Sequence, residues 1–216
     1  MKHHLNSVEQ PPQTDGLLIR WGSYYDLAVT MTTLGQDQRL RKATVDQAWI
    51  KPGDHVLDVG CGTGEVALLA KTRAKAGKVY GIDPAPEMIA VARKKAARKK
   101  LTIDFRVGVI EALPFSDASI DVVTSSLMMH HLPEDLKARG LAEIYRVLRP
   151  GGRLLIADFM RPTGSFLNHL YLALIRHHGL GEAVEGLQEM LKETGFNQIT
   201  KLDKKVLVIG FVRAIK

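Results

Sequence analysis

The chain has 216 residues, 45% of them hydrophobic and 25% charged, with a single cysteine at Cys61. Against a prior of roughly 150 residues per domain this is one domain with an embellishment, and the near-average composition excludes collagen-like, coiled-coil and wholly disordered chains. The net charge of +7 is concentrated in Arg93, Lys94, Lys95, Arg98, Lys99 and Lys100, a run that reads as a solvated helix face ahead of a nucleic-acid site and is compatible with peripheral contact to an anionic membrane.

In chain order, residues 1–50 read as a flexible N-terminus followed by a helical cap, with apolar residues at helical spacing over 21–49 and a break at Gly35. The first residues lack the apolar core of a signal peptide, no run approaches the ~20 apolar residues of a membrane span, and one cysteine makes no internal disulfide. The expected location is cytoplasmic.

Over 51–216 the pattern changes to short apolar runs alternating with longer helical ones, the signature of a parallel sheet covered on both faces. Runs at 55–59, 78–82, 102–107, 120–125 and 152–159 predict strands. The segment 133–148 predicts a helix: Leu136, Leu141, Ile144 and Leu148 share a face, Glu134 and Asp135 suit its N-terminal dipole, and Pro150, Gly151 and Gly152 stop it. An apolar helical stretch at 166–175 follows, then an amphipathic helix ending before Gly195. The chain closes with a hairpin of 198–202 and 206–212, its turn expected at Asp203 and Lys204.

The most informative segment is Val56-Leu57-Asp58-Val59-Gly60-Cys61-Gly62-Thr63-Gly64, where the first buried strand meets a helix. Its glycines permit positive φ and close approach of a ligand to the backbone, and amides at the helix start are expected to donate to that ligand. The spacing is G-x-G-x-G, whereas dinucleotide folds carry G-x-G-x-x-G. Their third glycine would fall on Glu65, which sits badly beside a pyrophosphate, so a phosphate-free nucleoside is expected. Asp83, in Gly81-Ile82-Asp83-Pro84 at the end of the second strand, can accept both ribose hydroxyls.

These blocks, with Glu111-Ala112-Leu113-Pro114-Phe115 and Leu148-Arg149-Pro150-Gly151-Gly152-Arg153-Leu154, resemble the class I S-adenosylmethionine-dependent methyltransferases. The resemblance implies an α/β fold, a Rossmann-like, mostly parallel sheet of seven strands with helices on both faces and an N-terminal helical cap. It implies S-adenosyl-L-methionine as cofactor. By similarity Gly60, Cys61, Gly62, Asp58 and Thr63 serve its methionine part, with Ser125 and Ser126 lining that end. Asp83 takes the ribose, Pro84 and Met88 flank the adenine, and Val109, Ile110 and Glu111 edge the ring. Val109 departs from the family pattern, which often places Asp or Asn there to accept from the adenine amine; the Ile110 amide is left to address the ring.

For the acceptor, His131 (beside His130) and Tyr25 are the candidate catalytic residues; a phenol or ring carbon needs deprotonation, for which histidine is suited. The segment from Trp21 to Asp26 is similar to the cap of quinone-biosynthesis and phosphatidylethanolamine N-methyltransferases. No metal ligand set is assigned, and His177 and His178 lack a carboxylate partner in a zinc motif. The expected partner is a small-molecule or lipid-like acceptor, not nucleic acid, and an oligomer is compatible with the sequence. Competing readings are a cofactor-binding protein without transferase activity, an RNA methyltransferase using the basic helix, and a nicotinamide enzyme.

Overall fold

The computed structural model describes Thr14, Gly16, Asp26 and residues 29–31, 33–159 and 186–216. The apolar runs form β1 (Val56–Val59), β2 (Val79–Asp83), β3 (Asp104–Val107), β4 (Ile120–Ser126), β5 (Leu148–Phe159), β6 (Asn197–Val206) and β7 (Ile209–Ile215). They make one sheet in the order β3-β2-β1-β4-β5-β7-β6. The first five strands run parallel, and β7 is antiparallel to both β5 and β6. The seven-stranded, mostly parallel α/β architecture expected from the sequence is therefore present. Strand order reverses between β1 and β4, and ligands of such sheets bind at the carboxyl ends beside that reversal.

Five helices cover the sheet among the described residues: α1 (Asp37–Gln47), α2 (Glu65–Ala74), α3 (Pro86–Arg98), α4 (Glu134–Val147) and α5 (Leu187–Thr194). Alternation along the strands sends Val56 and Val122 into one apolar cluster with α1, α2 and α3, and Leu57, Val59 and Val123 into another with α4 and α5. Helix α1, which the sequence assigns to a cap, packs Leu40 and Ala43 into the first of these clusters and is one layer of the domain. The break at Gly35 is a turn in which Gly35 takes φ +75°.

Leu136, Leu141, Ile144 and Val147 of α4 are buried against the sheet. Each contributes roughly 1.5–3 kcal/mol, so packing, more than intrinsic propensity, holds the helix. Leu148 is not its last turn, as the periodicity implies, but the first residue of β5, paired with Ile120.

The closing hairpin turns at Leu207 and Val208, not at Asp203 and Lys204. Val206, Val208 and Ile209 are buried in the first cluster, and burying that apolar tip outweighs the turn preference of a polar pair. Asp203 is absorbed by a register shift between Leu202 and Lys205. The apolar stretch at 166–175, His177 and His178 lie outside the described residues.

The basic run divides. Arg93 bonds the Phe105 carbonyl at 2.7 Å and Lys95 turns inward to carboxylates. Arg98, Lys99 and Lys100 are exposed at the C-terminal end of α3, about 18 Å along the helix from its start at Pro86.

Candidate functional site

The chain leaves β1 at Val59 and reaches α2 through Gly60, Cys61, Gly62, Thr63 and Gly64. Gly60 has φ +68° and passes so close to Met128 that an added Cβ would overlap its side chain, meeting Met128 Cβ at 2.8 Å. Only glycine fits there. The expectation that these amides donate to a ligand is largely corrected. Gly60 and Cys61 amides donate to the Ile82 carbonyl at 2.8 and 2.9 Å, and the Gly64 amide to the Cys61 carbonyl at 2.9 Å. The Gly62 amide donates to Asp83 Oδ2 at 2.9 Å. A tight loop beside a parallel neighbour satisfies its own donors, so its glycines provide close approach and shape.

That shape is one wall of a cleft of about 680 Å³, open to solvent at the carboxyl edge of the sheet. The cleft brings together Gly60 and Gly62 after β1, Asp83, Pro84 and Met88 after β2, Val109, Ile110 and Glu111 after β3, and His131 after β4. Asp83 is buried, and burial raises its carboxyl pKa against the pull of the Ala85 and Gly62 amides. Each of its oxygens takes one backbone donor, Oδ1 from Ala85 at 3.0 Å and Oδ2 from Gly62. A carboxylate has about four acceptor sites, so two remain for a vicinal diol. Pro84, Met88, Val109 and Ile110 supply apolar walls for a flat base.

A second hollow adjoins through Gly60 and Leu127 and is lined by Asp58, Cys61, Thr63, Glu65, Arg41 and Ser126. Asp58 is in register with Thr124 of β4, whose hydroxyl donates to Asp58 Oδ1 at 2.7 Å. Its Oδ2 is buried without a partner. Burial, helped by the nearby Asp83 and opposed by Thr124, pushes the Asp58 carboxyl up to about 7; burial likewise raises the Cys61 thiol well above its ordinary range. At the rim, Lys95 bridges Asp26 at 2.5 Å and Glu65 at 2.7 Å, and Arg41 bridges Asp37 at 3.2 Å. Asp26 also accepts from Thr63 Oγ1 at 2.7 Å; burial alone would raise its pKa, but Lys95 and Thr63 together lower it.

A carboxyl floor at Asp58 and a guanidinium at Arg41 line the same hollow, one an acceptor for an ammonium and the other a donor to a carboxylate, the two groups of an α-amino acid. Next to it lies a diol acceptor with an apolar slot. The pair fits an aminoacyl nucleoside. Glu65, the first residue of α2, puts a carboxylate at the helix N-terminus where a dinucleotide fold would hold phosphate, which favours the phosphate-free ligand.

After β4, a 3-10 turn over Met129–His131 places the two histidines differently. The His130 side chain is buried, its Nδ1 2.6 Å from Asp158 Oδ1, and its ring centroid lies 3.9 Å from that of His131 with the planes tilted by 45°. His131 faces the cleft, and burial together with the neighbouring His130 lowers its pKa to about 4.

Of the residues expected at the site, Ser126 lines the second hollow, whereas Ser125 is fully buried, in register with Val59, and lines neither space. Tyr25 lies outside the described residues. Sequence reasoning missed Asp26 and Arg41, and read Lys95 as part of a solvated helix face. It also missed Asp158, whose signal was a lone carboxylate inside the apolar run Leu154-Leu155-Ile156-Ala157-Asp158-Phe159. The apolar cleft residues Leu127, Met128 and Leu132 had no sequence signal that separates them from core.

Residues 56–152 match the methyltransferase domain family. The demethylmenaquinone methyltransferase of Thermus thermophilus is 41% identical over 143 residues, covering 66% of this chain and 64% of that protein. The ubiquinone/menaquinone biosynthesis C-methyltransferase UbiE of a Geobacter species is 37% identical over 150 residues, covering 68% of this chain and 63% of that protein. The chain thus spans just under two thirds of the length of these curated relatives. Among solved structures, a SAM-dependent methyltransferase from Aquifex aeolicus shares the fold with a TM-score of 0.65 at 22% identity, covering 87% of this chain and 97% of that one. Residues 56–152 thus carry a methyltransferase domain, in a chain with the fold of that solved structure.

Proposed function

We propose that this protein transfers a methyl group from S-adenosyl-L-methionine to a small-molecule or lipid-like acceptor. The observation that carries the reading is the convergence of Asp83, the Gly60 approach and the apolar Met88–Val109–Ile110 slot on one cleft, with Asp58 and Arg41 in the adjoining hollow. When bound, the cofactor supplies an electrophilic sulfonium methyl. Asp83 holds the ribose diol, Asp58 the ammonium and Arg41 the carboxylate, so the donor is fixed at several points and an in-line approach is set by position.

His131 is uncharged at neutral pH and a weak base, which suits it to accept a hydrogen bond from the acceptor's hydroxyl and orient it. Tyr25 is assigned to the acceptor side with it. That relatives are named for demethylmenaquinone supports a lipophilic ring as acceptor. Among the described residues no helix is long and apolar enough to cross a membrane; we place the activity in the cytoplasm.

Incubation with the methyl donor and a panel of demethylated quinones, aminophospholipids and small phenols, read by mass spectrometry, tests the assignment. A one-methyl mass increment on a quinone is the expected result. Methylation of RNA alone, or of nothing in the panel despite cofactor binding, would contradict it.

A further inference from the structure

Three large apolar side chains are exposed among the described residues: Met31 by 70%, Leu34 by 65% and Trp49 by 52%. Trp49 is accounted for within the fold, since the Arg213 guanidinium lies 3.2 Å from the centre of its ring. Met31 and Leu34 are not. They stand on the turn that precedes α1, a tip braced from within: Thr33 is buried and its hydroxyl donates to the Val29 carbonyl at 2.7 Å, and the Gly35 amide donates to the Thr30 carbonyl at 2.7 Å. Leu34 also takes φ +50°, a region that suits glycine or asparagine and strains a leucine. Neither burial nor backbone preference explains a leucine there. An isolated exposed leucine needs no explanation; two such side chains on one strained tip do.

The tip stands beside the site. Val29 before it and Leu40 and Arg41 after it line the second hollow together with Gly60 and Ser126, at the carboxyl ends of β1 and β4. Beyond the tip, the solvent side of α1 carries Arg39 and Lys42, three apart and so on one helix face. Both are exposed, and neither has a carboxylate partner among the described residues; Arg39 reaches back to Gln36 Oε1 at 3.4 Å, beside the turn. The other charges of this region are engaged: Asp26, Asp37, Arg41, Glu65 and Lys95 with one another, and Asp46 with Arg73. An apolar tip flanked by unpaired cations matches the boundary of an anionic bilayer, where apolar groups enter the acyl region and cations stay with the phosphates. A second copy of this chain fits it worse, because a two-fold contact through the tip brings Arg39 and Lys42 of both copies together. We propose that Met31 and Leu34 dock this protein on an anionic lipid surface, with Arg39 and Lys42 on the headgroups, so that the hollow beside the tip lies next to the membrane. The inference rests on the proposed lipid-like acceptor and names the surface from which such an acceptor is taken.

Co-sedimentation of the full chain with vesicles of equal parts phosphatidylglycerol and phosphatidylcholine, and with vesicles of phosphatidylcholine alone, tests the docking without any turnover. The native protein should bind the anionic vesicles, and more weakly as salt is added. Met31→Gln and Leu34→Asn should each weaken that binding by roughly 10-fold, the loss of one inserted apolar side chain. Arg39→Gln and Lys42→Gln should each cost roughly 5-fold on the anionic vesicles and little on the neutral ones. Leu34→Asn, relieved of its backbone strain, should melt no lower than native, so its lost binding is not a lost fold. Both tip variants should hold S-adenosylhomocysteine with native affinity. Failure of the native protein to bind anionic vesicles, or undiminished binding by the Met31→Gln, Leu34→Asn double variant, would overturn the inference. So would a native dimer that the double variant dissociates, since a second copy would then be the occupant. Quinone methylation by a protein that ignores vesicles overturns this inference alone; tip-dependent vesicle binding with no methyl transfer to the acceptor panel upholds it and overturns the proposed function.

Discussion

Asp58 sits in β1 with both faces of the sheet closed around it, and its carboxyl is pushed from an ordinary 3.8 to about 7. Between those values the folded protein holds a proton that the unfolded chain has released, so this group's contribution to stability falls as pH rises from about 4 to about 7 and stays lost above. Asp58→Asn keeps an acceptor for Thr124 and removes the titration. Its melting temperature should exceed native at pH 8 by a few degrees, at ~2–4 °C per kcal/mol in a chain of this size, and by less at pH 5; a gap that is equal or larger at pH 5 would contradict the burial argument. His131 runs the other way. Its pKa is lowered from 6.5 to about 4, so the unfolded chain takes up the proton first and stability falls as pH drops through that window. Thermal melts of His131→Asn between pH 4 and 7 should lack that acid-side loss, and an unchanged acid limb would remove the burial assigned to His131. At this scale the glycines and Asp83 were legible because each does something few other residues can do at that place in a strand-to-helix turn. The inward-turned Lys95 and Arg41 were not, since a charge on a helix face carries no mark of which partner lies across the gap.

Helix α4 shows how an element away from the ligand shapes the site. Gly140 faces the sheet, and a Cβ added there would meet Ile110 Cδ1 at 2.6 Å and Cγ1 at 2.7 Å. Ile110 belongs to the cleft wall. On propensity alone Gly140→Ala would stabilise the helix by about 1 kcal/mol. The overlap decides against it: overpacking a closed core costs typically ~1–3 kcal/mol, and relief requires the Ile110 side chain to shift within the cleft wall. The variant should melt lower than native in chemical denaturation and bind S-adenosylhomocysteine more weakly, whereas a stabilised protein with unchanged affinity would refute the coupling of α4 to the cleft. Strands and helices of the parallel half were readable from hydrophobic period, because burial on both faces leaves long apolar runs. The last hairpin was misplaced for the same reason in reverse. Its turn is apolar and buried while its polar stretch lies within a strand, so local turn chemistry pointed to the wrong residues.

Across the whole molecule, the carboxyl edge of the sheet gathers residues from positions as distant in sequence as Asp26, Arg41, Asp83, Glu111 and Asp158. The parallel topology makes this convergence a consequence of strand order: every β-to-α loop of the parallel half opens on the same edge. The glycine-loop side of this arrangement could be anticipated from motifs. The N-terminal rim could not, because its ion pairs depend on how α1 lies beside α2 and α3, a relation that no single segment encodes. The relatives carry quinone-linked names, and the donor site comes before any acceptor. Calorimetry of the native chain and of Asp83→Ala with S-adenosylmethionine, alongside a nicotinamide dinucleotide, tests it most directly. One molecule of S-adenosylmethionine should bind per chain, the Asp83 variant should lose roughly 10-fold or more in affinity, and the dinucleotide should give no binding. Equal binding of the dinucleotide, or an Asp83 variant that binds as well as native, would contradict the cleft as described.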